Sequence, residues 1–174
     1  MSKKLSTNRL RSIGRAYALK ALYQNELNPQ HEFPRWRDDK SDYWEDELAE
    51  DHAILDLDSE GRQTVFDFAR RLYEGVVDRK FEIDATINSL FDKGRTLSHT
   101  ALVERCILRL AVYEMRFIKT PKAVVVSQAM ELGNKYGDVK SRAFLNGVLD
   151  QFDKPSRKPD ADPEQSDAPP TSDV

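Results

Sequence analysis

Apolar residues recur at helical spacing along most of this chain, and the densest run lies between Val103 and Ile118. At about 100° per residue, one face of this segment is apolar, and arginines lie on the opposite face. The apolar face holds Val103, Ile107, Leu110, Ala111 and Ile118, and the opposite face holds Arg105, Arg109 and Arg116. Most of the remaining positions are also apolar, so this segment is predicted to be a core helix around which the others pack.

Glu114 lies in the middle of that apolar face. An ionised carboxylate in a core must be paired or hydrogen-bonded. We therefore expect Glu114 to cap a neighbouring helix or to hold a buried arginine. A catalytic carboxylate is the alternative, although no second acid or histidine stands beside Glu114 in the sequence.

The same spacing predicts helices on both sides of the central segment. They cover about 8–27, 58–79, 83–94, 121–136 and 141–152. Gly137 is expected to end the helix before it as a left-handed cap. Gly147 lies inside the last helix, where glycine costs about 1 kcal/mol against alanine. Another backbone or a ligand is therefore expected to approach Gly147 closely.

Two stretches do not follow this pattern. Residues 29–60 combine prolines with a dense acidic run, and their aromatic residues are too many for pure disorder. We interpret them as an acidic insert that partly docks its aromatics, with a short helix at Tyr43 to Ala49 as one option. Residues 154–174 are rich in Pro, Asp and Ser and are predicted to be a disordered tail. Few glycines and no alternating strand pattern favour one all-α domain over residues 1–153.

The net charge of −3 conceals an uneven distribution of charge. The first 25 residues contain six Lys or Arg and no acid, whereas residues 31–60 contain twelve acids against three Lys or Arg. A basic segment on an acidic chain indicates an anionic partner.

The basic residues of the first helix surround an aromatic side chain. Arg11 and Arg15 lie on one flank of its apolar stripe, Arg9 and Lys20 lie on the other, and Leu19 and Tyr23 are predicted to point outward between them. Cations that bind phosphates and a ring that stacks on bases suit single-stranded nucleic acid. The alternative is an ordinary solvated basic face.

The sequence makes no positive case for an enzyme. No glycine-rich phosphate loop is present, the three histidines are scattered, and Cys106 is the only cysteine. We predict no catalytic residues, no metal site and no cofactor. Cys106 is expected to be a small buried residue. No apolar run reaches the roughly 20 residues that span a bilayer, and the charged N-terminus lacks a signal sequence. A cytoplasmic location is expected.

Three stretches together resemble the NusB family of bacterial transcription antitermination factors. They are GRAYALKALYQNEL (Gly14 to Leu27), ILRLAVYEM (Ile107 to Met115) and PKAVVVSQAMELGNKYGDVKSRAFLNGVLDQF (Pro121 to Phe152). The resemblance covers about residues 8–28 and 65–152. The last two stretches, in this order and spacing, are the specific part.

This resemblance implies a fold of about seven helices in two small bundles and a role without catalysis. NusB-like proteins pair with the ribosomal small-subunit protein NusE. The pair binds a single-stranded boxA element in nascent ribosomal RNA transcripts. Together they help to load a complex that lets RNA polymerase read through terminators.

The family's functional residues map unevenly onto this chain. Its N-terminal arginine cluster corresponds to the region of Arg9, Arg11 and Arg15, but Ser12, Ile13 and Gly14 make the cluster thinner here. The expected RNA-binding residues are Arg9, Arg11, Arg15, Lys20, Tyr23, Lys140 and Phe144. Lys140 replaces a frequent family Asp, which should strengthen phosphate attraction.

Glu104 matches a family glutamate on the side that binds the protein partner, and the adjacent Arg105 is assigned to the same surface. The alternative for Glu104 is an acid placed at a helix N-terminus, where the helix dipole favours it.

Three functions remain open from the sequence. The leading hypothesis is an RNA-binding antitermination adaptor. The second is a protein-interaction module of the same fold that has lost RNA binding, given the thin arginine cluster and the acidic insert. The third is an accessory subunit for ribosomal RNA modification.

Overall fold

The structure is a computed structural model, and it describes residues 5–29, 54 and 56–154. These residues form six α-helices and no β-strand, which confirms the predicted all-α fold. The helices are α1 (Thr7–Leu27), α2 (Ser59–Asp78), α3 (Lys80–Leu90), α4 (Leu102–Tyr113), α5 (Lys122–Tyr136) and α6 (Ser141–Asp150). The helix considered at Tyr43 to Ala49, most of the acidic insert and the tail from residue 155 lie outside the described residues.

Helix α4 is the centre of the fold, because it contacts each of the other five helices. Residues 106–115 are all buried, and a π-helical turn, Glu114–Ile118, continues the helix. Helices α1 and α2 pack against each other and against α4, and α5 and α6 do the same. The core helix predicted between Val103 and Ile118 is therefore confirmed, and it joins two small bundles.

The outward face predicted for the arginines of α4 is wrong for Arg109. Its Nε and Nη2 donate hydrogen bonds to the carboxylate of Asp84 at 2.7 and 2.9 Å, and its Nη1 lies 3.2 Å from Glu26. Burial lowers the pKa of Arg109, but the hydrogen bonds and charges of Asp84 and Glu26 outweigh it, so the net pKa is raised. Two carboxylates from other helices thus make an inward position favourable for this arginine.

Helix α1 buries a wider face than its apolar stripe predicts. It packs between α2 and α4, and Leu19, which was expected to point outward, is only 2% exposed. Gly14 brings α1 close to α2, because a Cβ at this position would lie 3.0 Å from the Phe68 ring and 3.1 Å from the Val65 carbonyl oxygen. The small residue at position 14 therefore has a packing role.

Two glycines behave differently from the expectations drawn from the sequence. Gly137 follows α5 with φ −92°, so the left-handed cap predicted there is wrong. A Cβ on Gly137 would lie 2.4 Å from the Ser141 hydroxyl, so the residue is needed for close packing. Apart from its chain neighbours and the backbone of its own helix, no described residue lies within 4 Å of a Cβ built on Gly147. The expected approach of another backbone is thus wrong within the described chain, and the alternative of a ligand stays a prediction.

Candidate functional site

The residues predicted to bind RNA or protein occupy three environments in the structure. Four are exposed, namely Arg9, Arg11, Tyr23 and Lys140. Four are half-buried, namely Lys20, Glu104, Arg105 and Phe144. Only Arg15 is buried.

Two exposed arginines lie near the start of α1. Ser6 caps this helix by accepting a hydrogen bond from the backbone N–H of Arg9. The guanidinium of Arg11 lies 5.5 Å from the centre of the Phe68 ring. Neither Arg9 nor Arg11 forms an ion pair with any residue that the structure describes. Within the described part of the chain, their charges are therefore open to an anionic partner.

Arg15 does not fit the phosphate-binding role predicted for it. Its side chain is 6% exposed, and its Nε and Nη2 donate to the two carboxylate oxygens of Glu114, both at 2.7 Å. Its Nη1 donates to Gln128 at 3.4 Å, and Thr120 donates to Glu114 at 3.2 Å. Arg15 therefore joins α1 to α5 and to the end of α4.

The same pair explains the carboxylate in the core helix. Both oxygens of Glu114 are used by Arg15 and Thr120, and Glu114 is 1% exposed. The expectation that Glu114 holds a buried arginine is confirmed. A catalytic role would require access to a substrate, which this burial does not provide.

The carboxyl end of α1 carries a second group of candidate residues. Tyr23 is 38% exposed, and Lys20 lies with its Nζ 5.4 Å from the centre of the Tyr17 ring. Glu26 bonds to Lys80 and pairs with Arg109. Burial raises the pKa of Glu26, but the hydrogen bond from Lys80 and the charge of Arg109 outweigh it, so the net pKa is lowered.

These two parts of α1 are far apart. Arg9 and Tyr23 are separated by about 20 Å along the helix axis, at roughly 1.5 Å per residue. A mononucleotide cannot reach both, so a ligand that contacts both must be extended.

A third group lies where α6 begins against the first turn of α4. The Ser141 hydroxyl donates to Oε1 of Glu104 at 2.7 Å. Asp138 accepts hydrogen bonds from the backbone N–H groups of Lys140 and Ser141 at 2.7 and 2.9 Å. The bond from the Lys140 backbone is the main reason that the pKa of Asp138 is lowered. These bonds leave the exposed Lys140 side chain without an ion pair among the described residues.

Phe144 is contacted by an aromatic ring and by a cation. The rings of Phe91 and Phe144 are nearly parallel, with an interplanar angle of 19° and centroids 6.2 Å apart. The guanidinium of Arg95 lies over Phe144, with Cζ 4.9 Å from the ring centre. Nothing in the sequence marks Arg95, because it is a loop residue and the ring that it contacts lies 49 positions away in α6.

The sequence model of the NusB family matches residues 12–154 of this chain. The chain belongs to the NusB family.

Curated NusB proteins agree with this assignment. The transcription antitermination protein NusB of Campylobacter jejuni subsp. doylei is 34% identical over 142 residues, covering 80% of this chain and 92% of the relative. The protein of the same name from Bacillus mycoides is 34% identical over 140 residues, covering 80% and 93%. The resemblance to NusB found in the sequence is confirmed, and the chain is a transcription antitermination factor of this family.

A solved NusB structure shows the same fold. NusB of T. maritima superposes with a TM-score of 0.62 at 29% identity, covering 86% of this chain and 91% of that one. The NusB family model begins at Ser12, so Arg9 and Arg11 lie just before the matched residues. The exposed arginines of α1 are thus in the part of the chain that the family pattern does not cover.

Two further observations on the described residues concern metal ions and membranes. The described residues contain no group of three or more His, Cys, Asp or Glu side chains that could hold a metal ion. None of the described helices is long and apolar enough to cross a membrane. The NusB family is one of transcription antitermination factors.

Proposed function

We propose that this protein binds single-stranded, boxA-type RNA in nascent ribosomal transcripts together with the ribosomal small-subunit protein NusE. The pair then helps RNA polymerase to read through terminators. The observation that carries the proposal is the presence of exposed cations without ion pairs in the described residues, on a chain whose net charge is −3.

Arg9, Arg11 and Lys140 are the proposed phosphate contacts. All three are exposed, and no described acid forms a salt bridge with any of them, although the exposed Asp138 interacts electrostatically with Lys140. Lys20 is half-buried beside Tyr17 and is proposed as a fourth contact. Since phosphate contacts release counterions, binding through these residues must weaken as salt rises.

Tyr23 and Phe144 are the proposed base contacts. Tyr23 is partly exposed near the end of α1, and Phe144 belongs to a ring pair at the start of α6. Aromatic rings of this kind stack on unpaired bases. The roughly 20 Å along α1 between the arginines and Tyr23 suits an extended single strand.

Glu104 and Arg105 are the proposed contacts with NusE. Glu104 uses Oε1 to accept from Ser141, which holds the carboxylate in place, while no described residue bonds to its Oε2. The Nε of Arg105 is buried and has no hydrogen-bond partner in the described chain. Because that atom is shut off from solvent, a partner could meet only the part of the half-buried Arg105 side chain that solvent reaches.

The test compares the salt dependence of RNA binding between two matched variants. Arg11→Ala and Arg71→Ala each remove one exposed arginine without an ion pair among the described residues, the first on α1 and the second on α2. Arg11→Ala is expected to reduce the slope of log K against log salt by about 0.7, the value for one phosphate contact with a single strand. Arg71→Ala is expected to leave the slope unchanged.

The same titrations separate the proposal from its alternatives. Equal slopes for Arg11→Ala and the unmodified protein would remove Arg11 from the RNA site. Binding of NusE with no gain from RNA would identify an interaction module that has lost RNA binding. Copurification with an RNA methyltransferase, without any effect on terminator read-through, would identify an accessory subunit for ribosomal RNA modification.

A further inference from the structure

The loop between α3 and α4 presents Arg95 in a well-defined position. Gly94 has φ +88°, a left-handed conformation that glycine adopts without strain, and the Arg95 backbone N–H then bonds to the Asp92 carbonyl at 3.2 Å. Two residues later, the Leu97 N–H donates to the Asn88 side chain at 2.8 Å, which ties the loop to α3. The backbone that carries Arg95 is therefore fixed on both sides.

The side chain of Arg95 is held by an aromatic ring and by no described acid. Its Cζ lies 4.9 Å from the centre of the Phe144 ring, within the range of a cation–π contact. No described residue accepts a hydrogen bond from its guanidinium. Arg109 and Arg116, in contrast, use their guanidinium groups in pairs with carboxylates.

This arrangement leaves two features of Arg95 unused. Phe144 is the only described ring near the guanidinium of Arg95, so a planar face of that group remains for a second stacking partner. The N–H groups of a guanidinium lie in its own plane. Arg95 is an exposed residue, so both features can be reached from solvent. Planar bases of single-stranded RNA stack on arginine planes as well as on aromatic rings.

Lys140, one of the proposed phosphate contacts, lies on the same side of α6 as this stack. Lys140 precedes Phe144 by four residues, and positions four apart share one face of a helix. A strand whose phosphate is held by Lys140 would therefore have a base near the Phe144 ring. The face of that ring is already covered by Arg95.

We propose that Arg95 contacts the RNA directly by stacking its guanidinium on a base, and that Phe144 is the positioning residue beneath it. This inference rests on the proposed RNA binding and deepens it, because it transfers the base contact expected of Phe144 to a residue on another loop. It also distinguishes two roles for arginine here, since Arg9, which contacts no described ring, would act through charge alone.

The first experiment separates the planar group of Arg95 from its charge. Binding of a fluorescently labelled, boxA-type single-stranded RNA is measured for Arg95→Lys and Arg95→Ala, with Lys93→Ala as the matched control from the same loop. Arg95→Lys keeps the charge but loses the plane, and we expect it to weaken binding about 5- to 10-fold, as for one lost stacking contact. Lys93→Ala is expected to change binding less than about twofold.

A second measurement identifies the stacked base. A series of RNAs, each lacking one base, is titrated against the unmodified protein and against Arg95→Lys. One abasic position should weaken binding to the unmodified protein about as much as Arg95→Lys does. Removing the base at that position should not weaken RNA binding to Arg95→Lys any further, because the missing base and the substitution each remove the same stacking contact. Phe144→Leu should reproduce the loss, and adding Arg95→Lys to it should have no further effect.

Each outcome decides between the proposals. Equal affinities for Arg95→Lys and the unmodified protein would overturn base stacking by Arg95 and leave the proposed RNA binding intact. Base stacking by Arg95 would also be overturned if, at every abasic position, the losses of binding free energy from the missing base and from Arg95→Lys simply added. Failure of the unmodified protein to bind the RNA at all would overturn the proposed function and this inference with it. Thermal melting by circular dichroism checks that each variant is folded.

Discussion

Replacing Glu114 with Gln should destabilise the fold far more than the loss of an ordinary ion pair. The change keeps the size of the side chain but removes the charge that balances Arg15. The two groups meet through a pair of hydrogen bonds of 2.7 Å, and their side chains are only 6% and 2% exposed. Water therefore cannot replace the lost charge.

The magnitude follows from this geometry. Two unit charges about 4 Å apart interact by about 4 kcal/mol at an effective dielectric constant of about 20. Breaking a buried pair by removing one partner costs about 3–5 kcal/mol, because the remaining charge stays buried without compensation. We expect Glu114→Gln to lower the free energy of unfolding by that amount, which corresponds to roughly 10 °C in Tm for a domain of this size.

The assay is urea unfolding followed by circular dichroism at pH 7, with Glu82→Gln as the control. Glu82 pairs with Arg116 at 3.0 Å, but the two side chains are 49% and 43% exposed, so its loss should cost less than about 1 kcal/mol. Replacing Arg15 with Met and Glu114 with Leu together should recover most of the loss.

Equal effects of Glu114→Gln and Glu82→Gln on the free energy of unfolding would contradict the stabilising role of the buried pair. So would a reduced salt dependence of RNA binding in Arg15→Ala with an unchanged free energy of unfolding. That result would return Arg15 to the RNA surface, where the sequence first placed it.

Three further predictions concern other parts of the chain. Burial raises the pKa of the Cys106 thiol to about 12, so the native protein should not react with a thiol reagent at pH 8, whereas the urea-unfolded protein should react rapidly. The backbone N–H of Lys140 lowers the pKa of Asp138 in the folded protein. The Asp138 carboxylate therefore stabilises the fold above the unfolded carboxyl pKa of about 4. This stabilisation is lost as pH falls through the lower pKa of the folded state. Asp138→Asn should therefore be less stable than the unmodified protein at pH 7 in urea unfolding, and the difference should shrink below about pH 4. Gly147→Ala should stabilise α6 by about 0.5–1 kcal/mol, because the added methyl meets no described residue; a lower RNA affinity without lower stability would instead indicate a ligand at Gly147.

The helical core was predictable because its signal is local. The run around Val103 to Ile118 is apolar on most sides, and such a helix has to be covered by others wherever they come from. The same local reasoning requires a partner for Glu114. The family could also be recognised from the sequence, since the closing stretch Phe144 to Asp150 is contiguous in the chain.

The details of the candidate site depend on contacts between distant parts of the chain. Arg15 lies at the edge of the apolar stripe of α1, where helical spacing alone allows it to turn inward or outward. Glu114, 99 positions later, decides the direction. Arg95 is likewise an ordinary loop residue until folding brings Phe144 beneath it. Polar residues at the edge of a helix face are thus the least predictable part of this surface.

The central claim is that this NusB-family protein binds RNA and a ribosomal protein as one unit. The most direct test is the affinity of a boxA-type single-stranded RNA for the protein, with and without NusE, at two salt concentrations. The account predicts binding that tightens when NusE is added and weakens as salt rises. Affinity that does not depend on NusE or on salt, or no RNA binding under any condition, would contradict it.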